Sequence, residues 1–162
     1  MKGMTFEKLL PERTSKADFE RIVQLEADCG LPDPYPPSLI AEILETLDTF
    51  VCRINGRIAG FIMINERGRY FGSSIYIVNL NVAAEHRSQN IAKRLILEAG
   101  RYYLPRRPGK LMSLDVSLTN PALNLYKKIG FRRTFLPSRN GKSDIVMAAP
   151  LNAVCLTIEK LL

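Results

Sequence analysis

Residues 75–97 read IYIVNLNVAAEHRSQNIAKRLIL. The first eight, rich in β-branched side chains, read as a strand within Ser74–Val82. The polar segment around Glu85–Gln89 ends it. Apolar residues then return at helical spacing, with Ile91, Leu95, Ala99 and Tyr102 on one side, so the spacing predicts a helix over Asn90–Tyr103. Pro105–Gly109 breaks that helix. A strand that feeds a turn opening a helix presents unpaired N–H groups and the positive end of the helix dipole. That arrangement is a cradle for a phosphate.

Downstream, Lys110–Ser117 reads as another strand, and the crossover from Ser74 to Ser117 makes the two strands parallel. Pro121–Ile129 reads as a helix, with Pro in its first turn and Gly130 at its end. Its expected inner stripe is Ala122, Leu125, Tyr126 and Ile129. Tyr126, in LYKKIGF, is a candidate proton donor. Phe131–Leu136 and Ser143–Ala149 read as final strands around an Asn140-Gly141 turn. Asn152–Leu162 reads as a helix that either covers the core or pairs between chains.

Upstream, Thr5–Leu10 reads as a strand. Ser15 and Asp18 resemble a capping box ahead of Phe19, Ile22 and Val23. Cys29–Pro37 holds four prolines and is a loop. Ser38 is expected to cap a second helix with the stripe Ile40, Ile43, Leu44, Leu47. Asn55-Gly56 joins the strands Thr49–Ile54 and Ile58–Asn65 as a hairpin. The order is that of a mixed α/β protein. One domain over residues 1–162 is expected, with 152–162 as a C-terminal helical extension.

Composition narrows the function. Hydrophobic residues make up 46% and charged residues 24%, as in soluble globular proteins. No apolar run is long enough to span a bilayer, and MKGMTFEKLLPERTSK has no apolar secretory core, so a cytoplasmic protein without membrane contact is expected. Cys29, Cys52 and Cys155 are odd in number and widely spaced, and His86 is the single histidine, so no metal site is expected. The net charge of +7 suits an anionic partner. Nucleic acid remains open on charge alone, but no aromatic-interleaved motif supports it.

Two motifs resemble the GNAT superfamily of acetyl-CoA-dependent N-acetyltransferases. The family's Arg/Gln-x-x-Gly-x-Gly/Ala frame is occupied by Arg87-Ser88-Gln89-Asn90-Ile91-Ala92, and its Asn…Leu-Tyr-x-x-x-Gly-Phe pattern is seen in LDVSLTNPALNLYKKIGF. The resemblance implies a mixed central sheet of six to seven strands flanked by helices, with a splay between parallel fourth and fifth strands. It implies acetyl-CoA as co-substrate and direct attack by a primary amine, either a peptide or protein N-terminus or a small molecule. Backbone groups of Leu80, Asn81 and Val82 would hold the pantetheine arm, and those of Arg87, Ser88, Gln89, Asn90, Ile91, Ala92 and Lys93 the pyrophosphate. Tyr126 would be the general acid beside the cofactor. Asn120 would contact the cofactor, although alignment from Tyr126 places that position on Thr119. Asp115 would be a base acting through water, or else a turn-facing aspartate. Asp33, Tyr35 and Asn79 would face the acceptor, with the Pro137–Lys142 turn flanking it. The family's glycine position is Asn90 here, the non-glycine residue best suited to left-handed backbone, and Ser88 stands at another position that is often glycine. These departures leave a second reading, a catalytically weak module that binds CoA or an anionic partner. A monomer and a homodimer are both compatible with the chain.

Overall fold

A single seven-stranded mixed sheet of order β1-β2-β3-β4-β5-β7-β6 organises the chain, with β4 and β5 parallel. The computed structural model describes residues 3–141 and 143–162. Packing divides the chain into two units. The first holds residues up to Ile64 together with Asn79–Ala99, and the second holds Asn65–Val78 together with Gly100–Leu162.

In the first unit, β1 (Met4–Leu9), β2 (Asp48–Ile54) and β3 (Arg57–Asn65) form an antiparallel meander. Asn55 and Gly56 both take positive φ, 50° and 81°, as a two-residue hairpin turn requires. Ser15 caps α1 (Lys16–Ala27) by accepting from the Asp18 N–H. The second helix, α2 (Pro37–Thr46), starts one residue before the expected cap. Pro36 flanks it and Pro37 fills its first turn, where a missing N–H costs nothing, so Ser38 lies inside the helix.

β3 is buried from Ile58 to Ile64. Gly60 lies where a Cβ would come within 3.0 Å of the Asn81 carbonyl oxygen and 3.2 Å of Ile91. That close approach sets the end of β4 (Ile75–Val82) and the start of α3 (Ile91–Tyr103) against β3. Arg53 ties α1 to the meander. Its guanidinium forks onto both Asp18 oxygens at 2.8 Å and reaches Glu7 at 2.6 Å. Hydrogen bonds from Arg53 hold the Asp18 carboxyl below its ordinary value. Asp18 therefore adds stability that is present above 3.8 and fades as acid protonates the carboxylate. Arg53→Ala is expected to cost about 1–2 kcal/mol near neutral pH. The gap to wild type should shrink in urea melts run below pH 3.8.

In the second unit, β5 (Leu111–Ser117) pairs antiparallel with β7 (Asp144–Pro150), which also pairs with β6 (Arg132–Pro137). The parallel β4–β5 register joins Ile75 to Met112 and Tyr76 to Ser113, and among the described residues it does not continue to Ile77 or Val78. That early end matches the expected splay. The third-helix stripe ends on Tyr103, fully buried, rather than Tyr102.

α4 spans only Leu123–Lys128, because Asn120–Ala122 form a turn ahead of it. Its buried residues are Leu123 and Tyr126, so Leu123 replaces Leu125 in the expected stripe. Gly130, at φ 108°, turns the chain so that the Phe131 N–H donates to the Tyr126 carbonyl at 3.0 Å. α5 (Leu151–Leu161) buries Leu151, Val154, Cys155 and Ile158, so the C-terminal segment covers the core of its unit. No helix among the described residues is long and apolar enough to cross a membrane.

Candidate functional site

The turn from β4 into α3 keeps a glycine-like path without glycine. Ser88 and Asn90 both sit in the left-handed region, at φ 65° and 62°. Serine pays more for that conformation than asparagine does. α3 begins at Ile91. Its first-turn N–H groups have no acceptor within the helix, so those of Ile91, Ala92 and Lys93 are available to an anion. The Asn90 side chain turns to the helix, where its Oδ1 accepts from Lys93 Nζ at 2.9 Å. Arg87 is exposed and donates through Nε to the Val82 carbonyl at 3.4 Å. Ser88→Gly and Asn90→Gly are expected to relieve strain, raising stability by up to about 1 kcal/mol each while preserving acetyl-CoA affinity. Asn90→Val, β-branched at the same φ, should weaken acetyl-CoA binding by at least about tenfold in calorimetry.

A buried carboxylate that the sequence reading passed over lies nearby in the same unit. Glu26, 3% exposed, closes the C-terminal turn of α1. Its Oε1 accepts the Tyr35 backbone N–H at 3.0 Å, and its Oε2 accepts Asn79 Nδ2 at 2.7 Å. Asn81 Nδ2 donates to the Leu25 carbonyl at 2.9 Å. The side-chain amides of Asn79 and Asn81 thus bind α1. Tyr35 joins this cluster by its main chain, while Asp33 stays exposed on the loop. The missed signal was on the strand: two asparagines on one face of a buried strand need partners, and Glu26 is the acidic residue of the helix side that supplies one.

The second unit gathers three hydroxyls around Asp115 on β5. Tyr70 donates to Oδ1 at 2.8 Å, Tyr76 to Oδ2 at 2.6 Å, and Ser138 to Oδ1. The Tyr70 oxygen also accepts the Arg139 N–H at 3.1 Å, and Ser138 Oγ accepts the Asn140 N–H at 3.0 Å. Asp115 therefore anchors the turn between β6 and β7. Lys142, in the expected acceptor-flanking turn, lies outside the described residues. Burial, and next the hydrogen bond to Asp115, push both phenols above their ordinary value, so Tyr70 and Tyr76 keep their protons. Asp115 thus faces that turn and is half-buried.

Tyr126 is 7% exposed, and its ring meets Phe131 edge-on at 5.8 Å. Burial pushes its phenol up to about 12. Asn120 uses its Oδ1 to accept the Ala122 N–H at 2.9 Å, an Asx turn that starts α4. Its amide nitrogen is left over for a cofactor. Thr119 instead pairs its hydroxyl with that of Ser117 at 3.0 Å.

Known proteins share this fold. An N-alpha-acetyltransferase of Sulfurisphaera tokodaii is 26% identical over 150 residues, covering 83% of this chain and 88% of that protein. The ribosomal-protein-S18-alanine N-acetyltransferase of Escherichia coli shares the fold with a TM-score of 0.70 at 20% identity, over 91% of this chain and 94% of the other. NAA60 of Arabidopsis thaliana, solved with a bisubstrate analogue, superposes with a TM-score of 0.69 at 23% identity, over 91% and 97%. The acetyltransferase (GNAT) domain model matches residues 45–133, which take in β3, β4, the Ser88–Asn90 turn, α3, β5 and α4. With more than half of its residues inside that match, the chain belongs to the GNAT family of acetyltransferases.

Proposed function

We propose that this chain transfers the acetyl group of acetyl-CoA to the α-amine of a polypeptide. The observation that carries the reading is the left-handed backbone at Ser88 and Asn90, which opens α3 as glycines would and leaves its first N–H groups for the pyrophosphate. Backbone groups of Leu80–Val82 hold the pantetheine and polarise the acetyl carbonyl. The amine nitrogen attacks that carbon and the C–S bond breaks. The amine's proton leaves through water to Asp115. Tyr126 gives a proton to the departing sulfur and recovers one from solvent.

Proton arithmetic and the names of the relatives support this acceptor. An α-amine titrates near 7.7–8.0, so roughly a third is neutral at about pH 7.5; a lysine side chain near 10.4 is neutral about one time in a thousand. Delivering a neutral lysine therefore costs about 4 kcal/mol, and an α-amine well under 1 kcal/mol. Asp115, already accepting from three hydroxyls, suits the lighter task. Glu26 supports the acceptor side by fixing the Tyr35 main chain and Asn79 together.

A panel of amines assayed by thiol release tests this reading. Free-amine peptides should turn over with acetyl-CoA, and small polyamines and aminoglycosides should not. Acetyl-CoA binding with no transfer to any amine would instead identify a non-catalytic binding module.

A further inference from the structure

Charge is divided unevenly between the two units. The second holds thirteen of the 23 lysines and arginines and four of the 16 acids, while the first holds the other ten and twelve. The positive excess of the second unit is thus larger than the net +7 of the whole chain. Part of it is gathered on two loops at the start of β4 and β5. Arg107 donates to the Glu66 carbonyl at 3.0 Å and to the Ser73 carbonyl at 3.4 Å, and Lys110 to the Gly72 carbonyl at 3.2 Å. These bonds staple residues 66–73 to residues 104–110. Arg67 and Arg106 are exposed on the stapled pair. Its one carboxylate is Glu66, 3.9 Å from Arg107. Arg69 turns aside, onto Asn140 at 2.6 Å.

Aromatic rings stand among these cations. The Arg106 guanidinium lies 3.8 Å from the centroid of the Tyr102 ring. Phe71 is 39% exposed at φ 55°, followed by Gly72 at 61° and Ser73 at 75°. A bulky residue in left-handed backbone is strained, and here the strain holds an apolar ring in solvent. The sequence shows no aromatic-interleaved motif because Phe71 and Tyr102 lie on separate segments, and the fold staples those segments together.

Guanidiniums match phosphate oxygens through paired N–H groups, and an exposed ring stacks on an unpaired base. An acidic peptide would use the cations but give the strained ring no role. A bilayer needs more apolar area than one phenylalanine supplies. Duplex DNA keeps its bases stacked, whereas RNA loops splay theirs out. We infer that loops 66–73 and 104–110 bind single-stranded RNA, with phosphates on Arg67 and Arg106, the charges of Arg107 and Lys110 behind them, and a base stacked on Phe71. The surface lies where β4 and β5 are paired, Ile75 with Met112, and not where they part, so it goes beyond acetyl transfer and does not depend on it.

The test uses a fluorescent single-stranded RNA of about twelve nucleotides, titrated by anisotropy with and without excess acetyl-CoA. The proteins are wild type, Arg67→Ala/Arg106→Ala, Phe71→Gly and a charge-matched control, Lys127→Ala/Lys128→Ala, which removes two exposed lysines of α4. Duplex DNA of the same length and polyglutamate are titrated beside the RNA. RNA should bind wild type at least about fivefold tighter than either, and its affinity should fall steeply with salt. The double arginine variant should lose at least about tenfold and lower the salt slope by about one to two. Phe71→Gly removes the ring and suits the left-handed backbone, so it should lose at least about fivefold with no drop in thermal midpoint. The lysine control should stay within about twofold of wild type. Absent RNA binding, equal losses in the control and the arginine variant, or duplex DNA or polyglutamate binding as tightly as RNA would overturn the inference. RNA binding that acetyl-CoA abolishes would place the RNA in the Ser88–Asn90 turn and overturn it as well.

Discussion

Asp115→Asn is expected to lower kcat by about 10²–10³-fold while leaving the KM for acetyl-CoA within about twofold. The carboxylate does two things at once. In the proposed reaction it is the sink for the amine's proton, and in the structure it accepts from Tyr70, Tyr76 and Ser138. Asparagine keeps the size but loses the charge, and its amide nitrogen now faces a hydroxyl that was donating. Tyr70 and Ser138 carry the Arg139 and Asn140 N–H groups, so the turn after β6 should loosen as well. The acceptor KM should therefore rise while the cofactor KM does not. A structural role alone would lower stability without that split. Parallel losses in both KM values, or unchanged kcat, would remove Asp115 from proton transfer.

Tyr126→Phe is expected to cost less, about 10–100-fold in kcat, with acetyl-CoA affinity preserved. The reason is thermodynamic. A thiol titrates near 8.5, whereas burial holds the Tyr126 phenol at about 12. Full transfer to a finished thiolate would be uphill by about 5 kcal/mol, so in the proposed reaction the phenol first donates a hydrogen bond as charge develops on sulfur and passes its proton as it recovers one from solvent. Because the phenol stays protonated to about 12, it should contribute no falling limb to kcat/KM between neutral pH and about pH 10. The wild-type profile should instead rise through about pH 8 as the α-amine deprotonates, then level. Phenylalanine keeps the edge contact with Phe131, so the variant should fold normally. Turnover equal to wild type would dismiss Tyr126 as the donor.

Local signals were legible where one short segment decides its own conformation. Asn55-Gly56 needs positive φ, Ser15 needs an orphan N–H, and Gly130 needs a left-handed stop, and each appears as read. The parallel crossover from β4 to β5 follows from handedness. Asn90 takes its left-handed backbone for the reason its residue type suggests, and Ser88 does the same despite its poorer fit. What escaped reading was set by distant partners. Glu26 meets Asn79 from 53 positions away, and Tyr70 meets Asp115 from 45. Periodicity along either segment says which face is buried, but not which polar groups meet across the fold. The stripe of α4 was misread because the Asx turn at Asn120 delays the helix start, which moves the buried face from Leu125 to Leu123. The second helix starts early because Pro37 is preorganised for a first turn.

The most direct measurement pairs two peptides that differ only at the α-amine, one free and one chemically blocked, each carrying one internal lysine. Both are incubated with acetyl-CoA and the protein, and fragment-ion mass spectrometry places the acetyl group. Acetylation of the free α-amine alone, lost in Asp115→Asn at matched time, is the expected result. Acetylation of lysine in both peptides, or none in either while acetyl-CoA binds, would contradict the proposed reaction.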